Sequence, residues 1–198
     1  MLTDSPPRKT NRTGFLKSDR IKSLDLPQDG CLFAIAKSIE STLRTAKPID
    51  LYRACAQFLD GASTFYNVPD CVIRVLAARV LRLRERGTFE LFGDYAPETM
   101  LIGVWMRTAE PKEITSFGIF LSTLCHEFCH HLDFQKFGYP DSWHIRGFYE
   151  PAAVLYHHAR GTPQKRLFGV SMAGGDGAST GRGRTRPHAG KSLEWQTI

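Results

Sequence analysis

Apolar positions recur at helical spacing over residues 32–45, where Leu32, Ile35, Ala36, Ile39 and Leu43 share one face and Pro48 sets the limit. A second helix is predicted over 50–66, with Asp50 as its N-cap. After the turn Asn67-Val68-Pro69-Asp70, Pro69 suits the first turn of a third helix reaching residue 86. That helix would turn Val72, Val75, Leu76, Val80 and Leu83 inward and its arginines outward, with Gly87 closing it. The period then changes. Residues 88–92 and 100–107 are β-branched, apolar or aromatic runs, predicted to form a hairpin around Gly93-Asp94-Tyr95-Ala96-Pro97. A long helix is predicted over 115–137, ended by Gly138 and Pro140, and a last one over 147–160. The order lacks βαβ alternation, so the expected fold class is α+β.

The two ends read differently. Residues 1–28 are rich in proline, serine, threonine and charge, and are expected to be disordered. The stretch 174–191 is a Gly/Arg-rich low-complexity segment, so 171–198 is expected to be a second disordered tail, leaving 29–170 as the folded domain. A chain of 198 residues, 42% hydrophobic, has material for one such core. The net charge of +6 changes the picture only at the ends. Residues 1–25 carry six basic against three acidic residues and 161–198 carry six against two, whereas 26–160 are close to neutral, with fourteen against fifteen. The tails therefore offer weak, salt-sensitive nucleic-acid contact, and the body does not. No run approaches the ~18–20 apolar residues of a membrane span. The N-terminal stretch lacks a signal-peptide apolar core, so a cytoplasmic location is expected. Five scattered cysteines, an odd number, fit reduced thiols.

Chemistry enters with His126-Glu127-Phe128-Cys129-His130. Helical positions four apart lie about 40° apart around the axis. His126 and His130 can therefore hold one ion, Zn2+ above all, while Glu127, about 100° round, can serve as general base to an activated water. The pattern is informative because it lies on a helix, where Leu121, Leu124 and Phe128 mark an apolar face. A catalytic zinc site needs a third protein ligand. His131, Asp133, His144, Glu150, His157 and His158 follow the motif. His131 points away from His130. Asp133, one turn beyond His130, suits either an outer partner of a ligand imidazole or a solvated position. His144 and Glu150 are the serious candidates.

The segment 124–150 (LCHEFCHHLDFQKFGYPDSWHIRGFYE) resembles the active site of SprT-like zinc metallopeptidases. Those proteins place a third histidine after the motif helix and a phenylalanine shortly beyond, positions held here by His144 and Phe148. The resemblance covers about residues 88–160. It implies a zincin-like fold, zinc on His126, His130 and His144, Glu127 as catalytic base, and protein or peptide substrates; endopeptidase action is expected because no pocket for a chain terminus is readable in the sequence. It also implies that the strand Ile102-Gly103-Val104-Trp105-Met106 is an edge strand above the cleft. One departure is the lack of paired Cys-x-x-Cys elements, hence of a zinc ribbon.

The remaining residues are assigned with less chemistry. Cys125 and Cys129 are read as packing residues, because thiolate ligation would close the site. Tyr139, Arg146, Tyr149, Tyr156 and His157 are candidate oxyanion donors, and the sequence does not choose among them. Two other classes compete with an enzyme: a regulatory protein that binds metal without turnover, and a nucleic-acid-associated module acting through the tails.

Overall fold

The computed structural model of the chain describes residues 3–7, 11–79, 81–84, 87–139 and 141–164. Five helices and five strands follow in the order α1 (Arg12–Ser18), α2 (Cys31–Thr45), α3 (Pro48–Tyr66), β1 (Val72–Ala78), β2 (Leu81–Arg84), β3 (Gly87–Glu90), β4 (Gly93–Ala96), β5 (Leu101–Arg107), α4 (Phe117–Gln135) and α5 (Arg146–Arg160). The architecture is α+β, as the element order predicts. No described helix is long and apolar enough to cross a membrane.

The core is organised by α4. Thirteen of its nineteen residues are buried, including the whole run from Thr123 to Asp133, so it lacks a solvent face over that span. It packs on β4 and β5 on one side and on α2 and α5 elsewhere. Ser116 caps its start through a bond from the Ile119 N–H. The three-stranded sheet has the order β1-β5-β4, with β1 parallel and β4 antiparallel to β5. β5 is buried on both faces from Ile102 to Met106, as a central strand must be. The edge position above α4 thus belongs to β4, not to the strand of Ile102 to Met106 expected there.

Three further expectations are corrected. Residues 72–78 form a strand where the third helix was predicted, and its continuation includes β2; Val80, Glu85 and Arg86 lie outside the described residues. Val72, Ile73 and Val75 are β-branched and suit a strand. Pairing with β5 in the register Ile73 with Ile102 and Val75 with Val104 decided the matter, and Ile73 is buried. Second, the predicted hairpin is split. β3 pairs with β2, and β5 pairs instead with β4, made of Gly93, Asp94, Tyr95 and Ala96, the residues read as the turn. The turn lies at Pro97–Met100, closed by Thr99 N–H to Ala96 O and Met100 N–H to Pro97 O. Third, α3 begins at Pro48, with Lys47 at the N-cap and Asp50 in the first turn rather than at the cap.

The N-terminal segment read as disordered carries α1, and Phe15 and Leu24 from it are buried in the core. Phe15 meets Trp143 edge to face at 5.5 Å, which explains how a short, polar helix finds a place. The predicted C-terminal tail, 171–198, lies outside the described residues.

Candidate metal centre

His126 and His130 project from one face of α4, and His144 approaches from the loop before α5. The Nε2 of His126 lies 3.2 Å from that of His130 and 3.1 Å from that of His144. The three ligand atoms lie within 4.8 Å of one another, close enough to hold a metal ion, and they are the one group of three or more histidine, cysteine or acidic side chains so arranged among the described residues. Phe148 supports the cluster from α5, stacked on His130 at 4.4 Å and edge-on to His126 at 4.8 Å. Its buried ring fixes the imidazole planes and keeps water from one side.

The second nitrogen of His130 is held from outside. His130 Nδ1 lies 2.7 Å from Ser142 Oγ, and Ser142 in turn donates to Asp133 Oδ2. With the hydroxyl proton committed to the carboxylate, Nδ1 of His130 is the donor and Nε2 keeps its lone pair toward the cluster. Asp133 is buried, and burial pushes its carboxyl up to about 7, against the lowering effect of the Ser142 bond. Asp133 therefore acts on a cluster histidine through Ser142, the outer-partner alternative of the two that the sequence left open. On the other side, His144 donates its backbone N–H to Asp4 Oδ2 at 2.7 Å.

Burial favours the neutral imidazoles. Desolvation, with His144 adding to it, pushes His126 down to about 3. His130 lies well below its usual value through burial and its two histidine neighbours. Burial also lowers His144, against the pull of Asp4. All three are thus neutral at physiological pH, the protonation state that coordinates metal.

Glu127 is buried where α4 meets the start of β4. Desolvation, with Asp94 adding to it, holds its carboxyl well above the ordinary glutamate value, and its Oε2 has no hydrogen-bond partner. The fit is close: a Cβ on Gly93 would lie 2.6 Å from Glu127 Oε1 and from Thr123 Cγ2. Glycine at 93 lets the edge strand approach the glutamate.

His131 faces away from the cluster. Its Nε2 bonds the Pro69 carbonyl at 2.8 Å, so that nitrogen carries the proton, and Nδ1 accepts from the Tyr95 hydroxyl at 2.9 Å. It ties β4 and the loop before β1 to α4, a positioning contact rather than ligation. Glu150, the rival third ligand, is outside the cluster of three. Cys125 and Cys129 are buried free thiols, also outside it, with proton affinities raised chiefly by burial.

Of the five candidate oxyanion donors, the structure brings Tyr149 to the cluster, its ring centroid 5.9 Å from that of His144 and 6.2 Å from that of His126. Burial, with Asp4 adding to it, pushes its phenol up to about 12, so it keeps its proton. Arg146 instead pairs with Asp19, Tyr139 stacks on Phe137, and His157 Nδ1 meets Thr162 Oγ1 at 2.8 Å. Tyr156 lines an open cavity of about 690 Å³ at the N-terminal end of α4, which the histidines do not border. Ser142, Asp4 and Gly93 carried no sequence signal, because each acts only through a tertiary contact. Comparison with family models, with curated proteins and with solved structures finds no match for this chain.

Proposed function

We propose that this chain is a zinc-dependent peptidase of the zincin type, related to the SprT-like group. One observation carries the reading: three imidazole nitrogens converge, and the next residue after His126 on the same helix, Glu127, is buried with an unpartnered oxygen. Zinc–nitrogen bonds of 2.0–2.1 Å at tetrahedral angles place ligand nitrogens about 3.3 Å apart. The two separations from His126, 3.1 and 3.2 Å, fit that requirement, and all three nitrogens lie within 4.8 Å of one another. An all-imidazole set of three, with a position left open, suits zinc in a catalytic role.

When bound, zinc supplies a Lewis acid that acidifies water and polarises a carbonyl. The remaining chemistry falls to the chain. Glu127 takes up the proton of the attacking water at its carboxylate and releases it to the departing amide nitrogen; burial raises its affinity for that proton. Tyr149 is the candidate donor to the developing oxyanion. β4 ends the described three-stranded sheet and lies against Glu127, the placement at which an extended peptide adds as a strand, and protein or peptide substrates with internal cleavage are the reading we adopt. The basic ends add salt-sensitive contact with polyanions, tested by nucleic-acid binding at increasing salt.

The test combines metal analysis with an activity screen. Wild type and Glu127→Gln are expected to hold about one zinc per chain, and His144→Ala much less. Cleavage of unfolded proteins is expected for wild type and not for Glu127→Gln. Zinc retained in His144→Ala but lost in Glu150→Ala would move the third ligand. Wild type that holds zinc yet cleaves nothing, itself included, would make the centre regulatory.

A further inference from the structure

The third histidine sits on a loop, whereas its two partners share a rigid helix. What holds that loop is the N-terminal end of the chain. Asp4 makes a reciprocal pair of bonds with His144: its N–H donates to the His144 carbonyl at 3.0 Å, and its Oδ2 accepts the His144 N–H at 2.7 Å. The same carboxylate oxygen lies 3.8 Å from His144 Nδ1, on the side of the ring away from the converging Nε2 atoms. Contacts with the same stretch continue along the segment. Asn11 Nδ2 donates to Asp141 Oδ2 at 2.8 Å, and Phe15 packs on Trp143. A Cβ on Gly147 would lie 1.9 Å from the Ser18 carbonyl oxygen, so glycine there lets the end of α1 lie against the start of α5. Residues 141, 143, 144 and 147 are thus all met by the N-terminal segment, through Asn11, Phe15, Asp4 and Ser18 in turn.

From this geometry we propose that the N-terminal segment is a brace for the third ligand: Asp4 is a positioning residue for His144, and docking of residues 3–7 is coupled to metal binding. The inference rests on the metal-centre reading. The physical reason is pre-organisation. Two ligands are fixed by helix geometry, and the affinity of the set depends on how much freedom the third must lose. Asp4 fixes the His144 backbone and presents negative charge to the ring, as outer carboxylates do for metal-bound histidines. Coupling between two binding events is reciprocal, so metal on His144 must also tighten the segment.

The experiment uses the full chain and zinc alone. Zinc affinity is measured by chelator competition for wild type, Asp4→Ala and Asp4→Asn, and hydrogen exchange of the Asp4 amide is measured with and without zinc. The expected result is an affinity about 10–100-fold weaker for Asp4→Ala. Asp4→Asn, which keeps an oxygen for the His144 N–H but removes the charge, is expected to lose less. Zinc is expected to slow exchange of the wild-type Asp4 amide, a change that a merely structural contact would not show. An Asp4→Ala affinity within about twofold of wild type, or exchange indifferent to zinc, overturns the brace while leaving the metal centre in place. Wild type that takes up no zinc overturns both.

Discussion

Ser142 is the most exposing test of how the centre is held. Its hydroxyl lies 2.7 Å from His130 Nδ1 and donates to Asp133, whose residue is 4% exposed. Ser142→Ala removes both bonds with one small change. His130 then loses the partner that fixes its tautomer and ring plane, and a buried carboxyl loses its donor. The loss of an outer partner costs about 10–100-fold in metal affinity, or about 1.4–2.7 kcal/mol. The metal-free fold should also lose about 1–3 kcal/mol from the unpartnered buried groups. For a chain of this size that lowers the melting temperature by about 2–4 °C per kcal/mol. Because Asp133 reaches His130 through Ser142, the two positions should not be additive. Asp133→Asn on top of Ser142→Ala is expected to add little to the loss in zinc affinity. The assay is chelator competition on the two single variants and the double variant, with thermal melts of the metal-free proteins alongside. Losses that simply sum, or a Ser142→Ala affinity within about twofold of wild type, would show that the chain Asp133–Ser142–His130 does not support the centre.

Two further outcomes are expected. Gly93→Ala places a carbon 2.6 Å from Glu127 Oε1 and from Thr123 Cγ2, so the glutamate or the strand must shift. Zinc content should be unchanged while turnover of an unfolded substrate falls by about 100-fold, the scale of an ångström's misplacement; full activity would remove Glu127 from the chemistry. Cys125→Ala takes a buried thiol out of the core and is expected to cost about 1–2 kcal/mol on denaturant unfolding with zinc stoichiometry intact. A fall in zinc content would instead make the thiol a ligand.

How much of this was legible in the chain depends on the range of the interaction. The facing pair His126 and His130, the adjoining Glu127 and the helix that carries them follow from a period of 3.6 residues, and α2, α4 and α5 were readable for the same local reason. Residues 72–84 were not readable in that way. Their apolar spacing suits a helix face as well as a strand, and only pairing of β1 with β5 decides between them. Gly93 to Ala96 have the composition of a turn, yet become an edge strand because β5 and Glu127 lie beside them. His144 was reached through a resemblance rather than through any spacing rule, since its approach to His126 depends on how a loop returns. That return is held by Asp4, 140 residues away, in a segment whose polar composition reads as disorder. The sequence by itself determined which side chains are candidates to bind metal and to move a proton. The tertiary structure decided which of them meet, because contacts between distant residues depend on packing that no local period encodes.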